Sequence, residues 1–98
     1  MLSTAKAPGA VGPYSQGIKG NNMIFVSGQL PIEPESGELL KGNIEKETEQ
    51  CIKNVLAVLE AGGGKLEDIA KGKIYITDMG NFPLVNGIYE KYFNEHKP

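Results

Sequence analysis

The chain has 98 residues, enough for one domain (residues 1–98) with one modest core. Its 10 cationic residues are all lysines, and with 12 acidic ones they leave a formal charge of −2, which gives a nucleic-acid surface no electrostatic support. One cysteine, Cys51, excludes an internal disulfide and fits a reducing compartment; residues 1–8 lack the apolar core of a signal peptide, and no run approaches the ~20 apolar residues that span a bilayer, so the expected location is cytoplasmic.

Residues 1–13 hold Pro8, Gly9, Gly12 and Pro13 and read as an irregular lead-in. Residues 14–19 and 22–27 follow as two short strands, joined by Gly20-Asn21-Asn22, whose residues tolerate positive φ and predict a tight hairpin. Met23-Ile24-Phe25-Val26 is apolar on both faces, which predicts a strand covered from both sides. Residues 31–42 form a loop with a turn at Pro34-Glu35-Ser36-Gly37.

A long helix begins after Asn43, a capping residue, with Glu45 and Glu47 at the positive end of its dipole. Thr48, Cys51, Ile52, Val55, Leu56 and Leu59 form its apolar stripe, and Glu49 and Lys53 pair on the outer side. Gly62-Gly63-Gly64 ends it. A third strand is expected at 69–77, where Ile74 and Ile76 alternate with Tyr75 and Thr77. Asp78-Met79-Gly80-Asn81 then turns the chain into a second helix. Pro83 lies in its first turn, and Phe82, Val85, Tyr89, Tyr92 and Phe93 line one face. The class is α+β, a hairpin–helix–strand–helix order.

Most chemical candidates have a plain structural reading. Gly62-Gly63-Gly64-Lys65 follows a helix and has Leu66 where a phosphate loop needs Ser or Thr, so it is a helix stop. Cys51 lies on an apolar stripe, far in sequence from the one histidine, His96, and reads as a structural cysteine. One Cys and one His do not suggest a zinc site, and His96 reads as a last-turn residue facing the helix dipole. Three segments stay open between packing and function. They are Gly12-Pro13-Tyr14-Ser15-Gln16-Gly17, the strand end Ser27-Gly28-Gln29, and Asn86-Gly87 inside a helix, where both residues are poor formers.

Those segments, together with Phe25-Val26-Ser27-Gly28-Gln29-Leu30-Pro31, Thr48-Glu49-Gln50 and Val85-Asn86-Gly87-Ile88-Tyr89, resemble the Rid (YjgF/RidA) family, in order along nearly the whole chain. The resemblance implies a chorismate-mutase-like α+β fold with two helices on one face of the sheet. It also implies a homotrimer with clefts between subunits. The implied activity is hydrolysis of enamine and imine intermediates such as 2-aminoacrylate to 2-keto acids and ammonia, on a small carboxylate substrate and with no cofactor. It places Tyr14, Ser27, Gly28 and Asn86 at the substrate cleft. The family's carboxylate-gripping arginine and its acid/base glutamate correspond to positions after Pro98. The 98 residues are therefore expected to lack the last two strands and, alone, to be inactive. A non-catalytic carboxylate-binding module, or a ribonuclease or translation inhibitor, are the alternative functions.

Overall fold

Asn21 and Asn22 adopt φ of 50° and 62°, the left-handed conformation that asparagine accepts more readily than most residues. They form the two-residue turn of an antiparallel hairpin, β1 (Gly17–Gly20) and β2 (Met23–Val26), with Gly20 opposite Met23 and Gly17 opposite Val26. The computed structural model describes residues 1–9 and 15–98. Among these, two helices complete the fold: α1 (Ile44–Ala61), which packs against both β2 and α2, and α2 (Phe82–Tyr92). Short 3-10 turns lie at Leu66–Asp68 and Met79–Asn81.

The hairpin's register sorts its side chains. Ile24 and Val26 are half-buried toward α1, while Met23 and Phe25 point outward with Phe25 60% exposed. Ile18, opposite Phe25, shares that open face. Coverage from both sides, expected from the apolar run, is thus met on one face only among the described residues. Leu2 adds a bridge to Gly17, so the predicted irregular lead-in also supplies one sheet hydrogen bond.

Helix α1 starts and stops where its local chemistry requires. The Asn43 side chain accepts the Lys46 N–H at 3.0 Å. At the other end the Gly64 N–H reaches the Leu59 carbonyl and the Gly63 N–H the Glu60 carbonyl, with Gly63 at φ 85°, which closes the helix in a Schellman turn. The Lys19 ammonium donates to the Gly62 carbonyl at 2.9 Å, tying β1 to that negative end. Lys19→Met should lower stability by about 1 kcal/mol, read as a lower urea midpoint with an unchanged m-value.

The apolar stripe is partly displaced from the sequence expectation. The residues of α1 that are buried are Asn54, Val58 and Leu59, whereas Cys51, Ile52, Val55 and Leu56 are only half-buried. Val85 on α2 and Phe93 just past its end are buried and the Tyr89 and Phe93 rings lie 4.5 Å apart, but Phe82 is 46% exposed and does not join the core. The Tyr92 hydroxyl donates to Glu49 across the helix pair.

The third strand is the main correction. Residues 69–77 carry no ladder among the described residues, and Ile74 and Tyr75 are exposed. Alternation predicts a strand only where a neighbour supplies paired N–H and C=O groups, and neither β1 nor β2 pairs with this segment. His96, expected at the α2 dipole, lies past the helix end and donates instead to the Ile69 carbonyl. Among the described residues, no helix is long and apolar enough to cross a membrane.

Candidate functional site

Of the four residues placed at the cleft by resemblance, Tyr14 lies outside the described residues. Ser27 follows β2 directly. Its hydroxyl donates to the Ser15 carbonyl at 2.7 Å and its N–H to the Gln16 carbonyl at 3.0 Å, so the strand end is held to the chain entering β1. Gly28 is exposed, and a side chain built there would meet nothing within 4 Å, so the backbone at this point stands open to a ligand.

Asn86 is exposed on α2 and lines an open groove of about 250 Å³. Tyr89 and Phe93 form its aromatic wall, and Glu90 and Lys97 bring one charge of each sign to it. An amide and an ammonium beside aromatic rings can hold a small anion or amino acid; lysine does so as a point charge without the planar fork of arginine. Ser27 and Gly28 are not among the groove's walls, so the structure does not bring the β2 end and Asn86 into one described pocket.

Two buried amides shape this region, Gln16 inside the first of the singled-out segments and Asn54 on α1. Gln16 is 6% exposed; its Oε1 accepts the Thr4 N–H at 2.7 Å and its Nε2 donates to the carbonyls of Thr4, Ala7 and Pro8. Asn54 is fully buried in α1; its Nδ2 donates to the Leu30 and Ile32 carbonyls, both at 3.0 Å, and its Oδ1 accepts from Gln50 at 2.8 Å. Asparagine in the middle of a helix was the available signal, since it is a poor helix former there.

Cys51 supplies no nucleophile. Burial, followed by the nearby Glu47 charge, pushes its thiol up to about 11, so at neutral pH it stays protonated. Its alkylation by iodoacetamide at pH 8 should be at least about tenfold slower in the folded protein than in urea; equal rates would mean an accessible thiolate. Tyr92 donates to Glu49, which holds that carboxyl below its usual range, with Lys91 acting in the same direction. This cluster ties α2 to α1.

Comparison with known proteins accounts for the arrangement. A family model described as Endoribonuclease L-PSP matches residues 4–98. Over all 98 residues the chain is 40% identical to the human 2-iminobutanoate/2-iminopropanoate deaminase and covers 72% of it. A solved Thermotoga maritima structure superposes with a TM-score of 0.96 at 50% identity, over 99% of this chain and 76% of that one. E. coli TdcF, solved with bound serine, superposes with a TM-score of 0.92 at 38% identity, over 98% of this chain and 75% of its own. With the family model matched over residues 4–98 and these relatives covered to about three quarters of their length, the chain belongs to the Rid (YjgF/RidA) family.

Proposed function

We propose that the protein is a deaminase of reactive enamine and imine intermediates, of the 2-aminoacrylate type. In that reaction water adds to the imine carbon, the C–N bond breaks, and ammonia leaves a 2-keto acid. The observation that carries the reading is the extent of the likeness to the human imine deaminase, 98 residues at 40% identity. The serine bound to E. coli TdcF supports a small amino-acid-like carboxylate as ligand class. On this reading Tyr14, Ser27, Gly28 and Asn86 border the substrate, and the reacting arginine and glutamate correspond to positions after Pro98.

The homotrimer belongs to the same proposal. The open hairpin face of Ile18, Met23 and Phe25 supports it, because an apolar sheet face left in water favours association. A second reading, a carboxylate-binding module without turnover, is favoured by the same serine complex. The two separate in one assay on the full-length protein, with 2-aminoacrylate generated in situ and keto-acid release followed. The deaminase accelerates release, and Asn86→Ala lowers kcat/KM by roughly tenfold or more, the worth of a hydrogen bond to a charged ligand. Serine binding with no acceleration selects the module and ends the deaminase reading.

A further inference from the structure

We propose that Asn54 is a positioning residue for the ligand site at the end of β2. The backbone leaving β2 at Ser27 runs through Gly28 and Gln29 to Ile32 with little packing of its own: Gly28 and Leu30 are both exposed. Its near end is held by the Ser27 bonds to Ser15 and Gln16. Its far end is held by Asn54, whose two amide hydrogens are used on the Leu30 and Ile32 carbonyls. Gln50, one turn earlier on α1, donates to the Asn54 oxygen and so fixes which way the amide points. Ile32 in turn bridges Leu39, and the Leu40 N–H donates to the Pro31 carbonyl, so the hold reaches the returning strand of the loop. A fully buried amide spanning 24 and 22 residues of sequence thus sets where the Gly28-Gln29 backbone lies relative to α1. The carboxamide is suited to this task because it donates twice in one plane and carries no charge, whereas an aspartate would turn an oxygen toward two carbonyls.

The link to a ligand rests on the proposed function; the hold on the segment does not, and the test reads them separately. Amide exchange is measured at Ile32 and Leu40, whose N–H groups donate to the Leu30 and Pro31 carbonyls, and L-serine affinity by titration, in the full-length protein, in Asn54→Asp and in Leu59→Ala, a core truncation elsewhere on α1. In Asn54→Asp these amides should exchange about tenfold faster while the hairpin amides stay protected, and serine affinity should fall roughly tenfold, the scale of a small misplacement of binding groups. Leu59→Ala should leave both unchanged. Unchanged exchange in Asn54→Asp overturns the proposal, as does an equal rise in Leu59→Ala, which would make Asn54 a structural residue only. If wild-type protein fails to bind serine, the carboxylate reading loses its ligand while exchange still decides the role of Asn54. Should Asn54→Asp not fold, Gln50→Ala, at a half-exposed position, decides by the same exchange pattern at several-fold smaller amplitude.

Discussion

Gly17→Ala should lower the stability of this protein by about 1–3 kcal/mol, although the substitution adds only one methyl group. A Cβ at this position would lie 2.8 Å from the Val58 Cγ1, 3.0 Å from the Phe25 carbonyl oxygen and 3.4 Å from Leu2. In the opposite direction, alanine restricts the unfolded chain and so contributes roughly 0.4–1 kcal/mol of stability. The clash should win because one of its partners is backbone: the Phe25 oxygen belongs to the hairpin ladder and cannot rotate away. The side-chain part of the clash is separable. Val58→Ala alone removes methyls from a site with no solvent exposure and should be destabilising. Combined with Gly17→Ala, it should cost less than the sum of the two single changes, with a favourable coupling of about 1 kcal/mol. Denaturant melts of the four proteins check this, and additive costs would show that the Phe25 oxygen alone sets the penalty. The close approach of β1 to α1 therefore depends on an absent side chain.

Asn54→Asp should cost about 2–4 kcal/mol at neutral pH. Two part-buried carbonyls lose their donor, each worth about 1–3 kcal/mol when left unpaired, and a carboxylate takes the place of a neutral amide in the core. The pH dependence distinguishes this from simple loss of packing. Burial beside two carbonyl oxygens favours the protonated acid, so the folded-state pKa of the new carboxyl lies above its unfolded value. The folded state then binds the proton more tightly, and the stability of the variant relative to wild type recovers as pH falls through that folded pKa. Asn54→Leu, similar in size and unable to donate at any pH, should show the cost without the recovery. Identical pH profiles for the two variants would refute an electrostatic origin.

The role of Asn54 also shows where sequence reading stops. Spacing along α1 picks out Thr48, Cys51, Ile52, Val55, Leu56 and Leu59 as the inward face; of these only Leu59 is buried, and the other buried residues of the helix are Asn54 and Val58. A periodicity argument assigns polar residues outward, since an unpaired amide is costly to bury. What reverses the assignment is a pair of carbonyls from the segment after β2, and no local pattern announces them. On α2 the same limit appears at Phe82, which shares the spacing of the aromatic face but lies at the first turn and stays exposed. The candidate site was legible as motifs, since Ser27-Gly28 stands out as small residues at a strand end and Asn86-Gly87 as a locally unfavourable choice in a helix, but not as a geometry. Ser27 is secured to Ser15 and Gln16, and Asn86 opens on a groove with Glu90 and Lys97, two residues that the motifs did not include.

By itself the sequence determined the features that depend on a few neighbouring residues. The hairpin turn follows from two asparagines that accept positive φ, the start of α1 from the Asn43 cap, and its end from Gly63 in the left-handed region. Each of these is settled by backbone sterics or one short-range hydrogen bond. Tertiary structure alone decided the burial of Asn54, the open face of Ile18 and Phe25, and the fate of residues 69–77, whose alternation has no ladder to join among the described residues. Those outcomes depend on which surfaces meet across the fold, because a strand needs a partner's hydrogen bonds and a buried amide needs carbonyls brought from elsewhere in the chain.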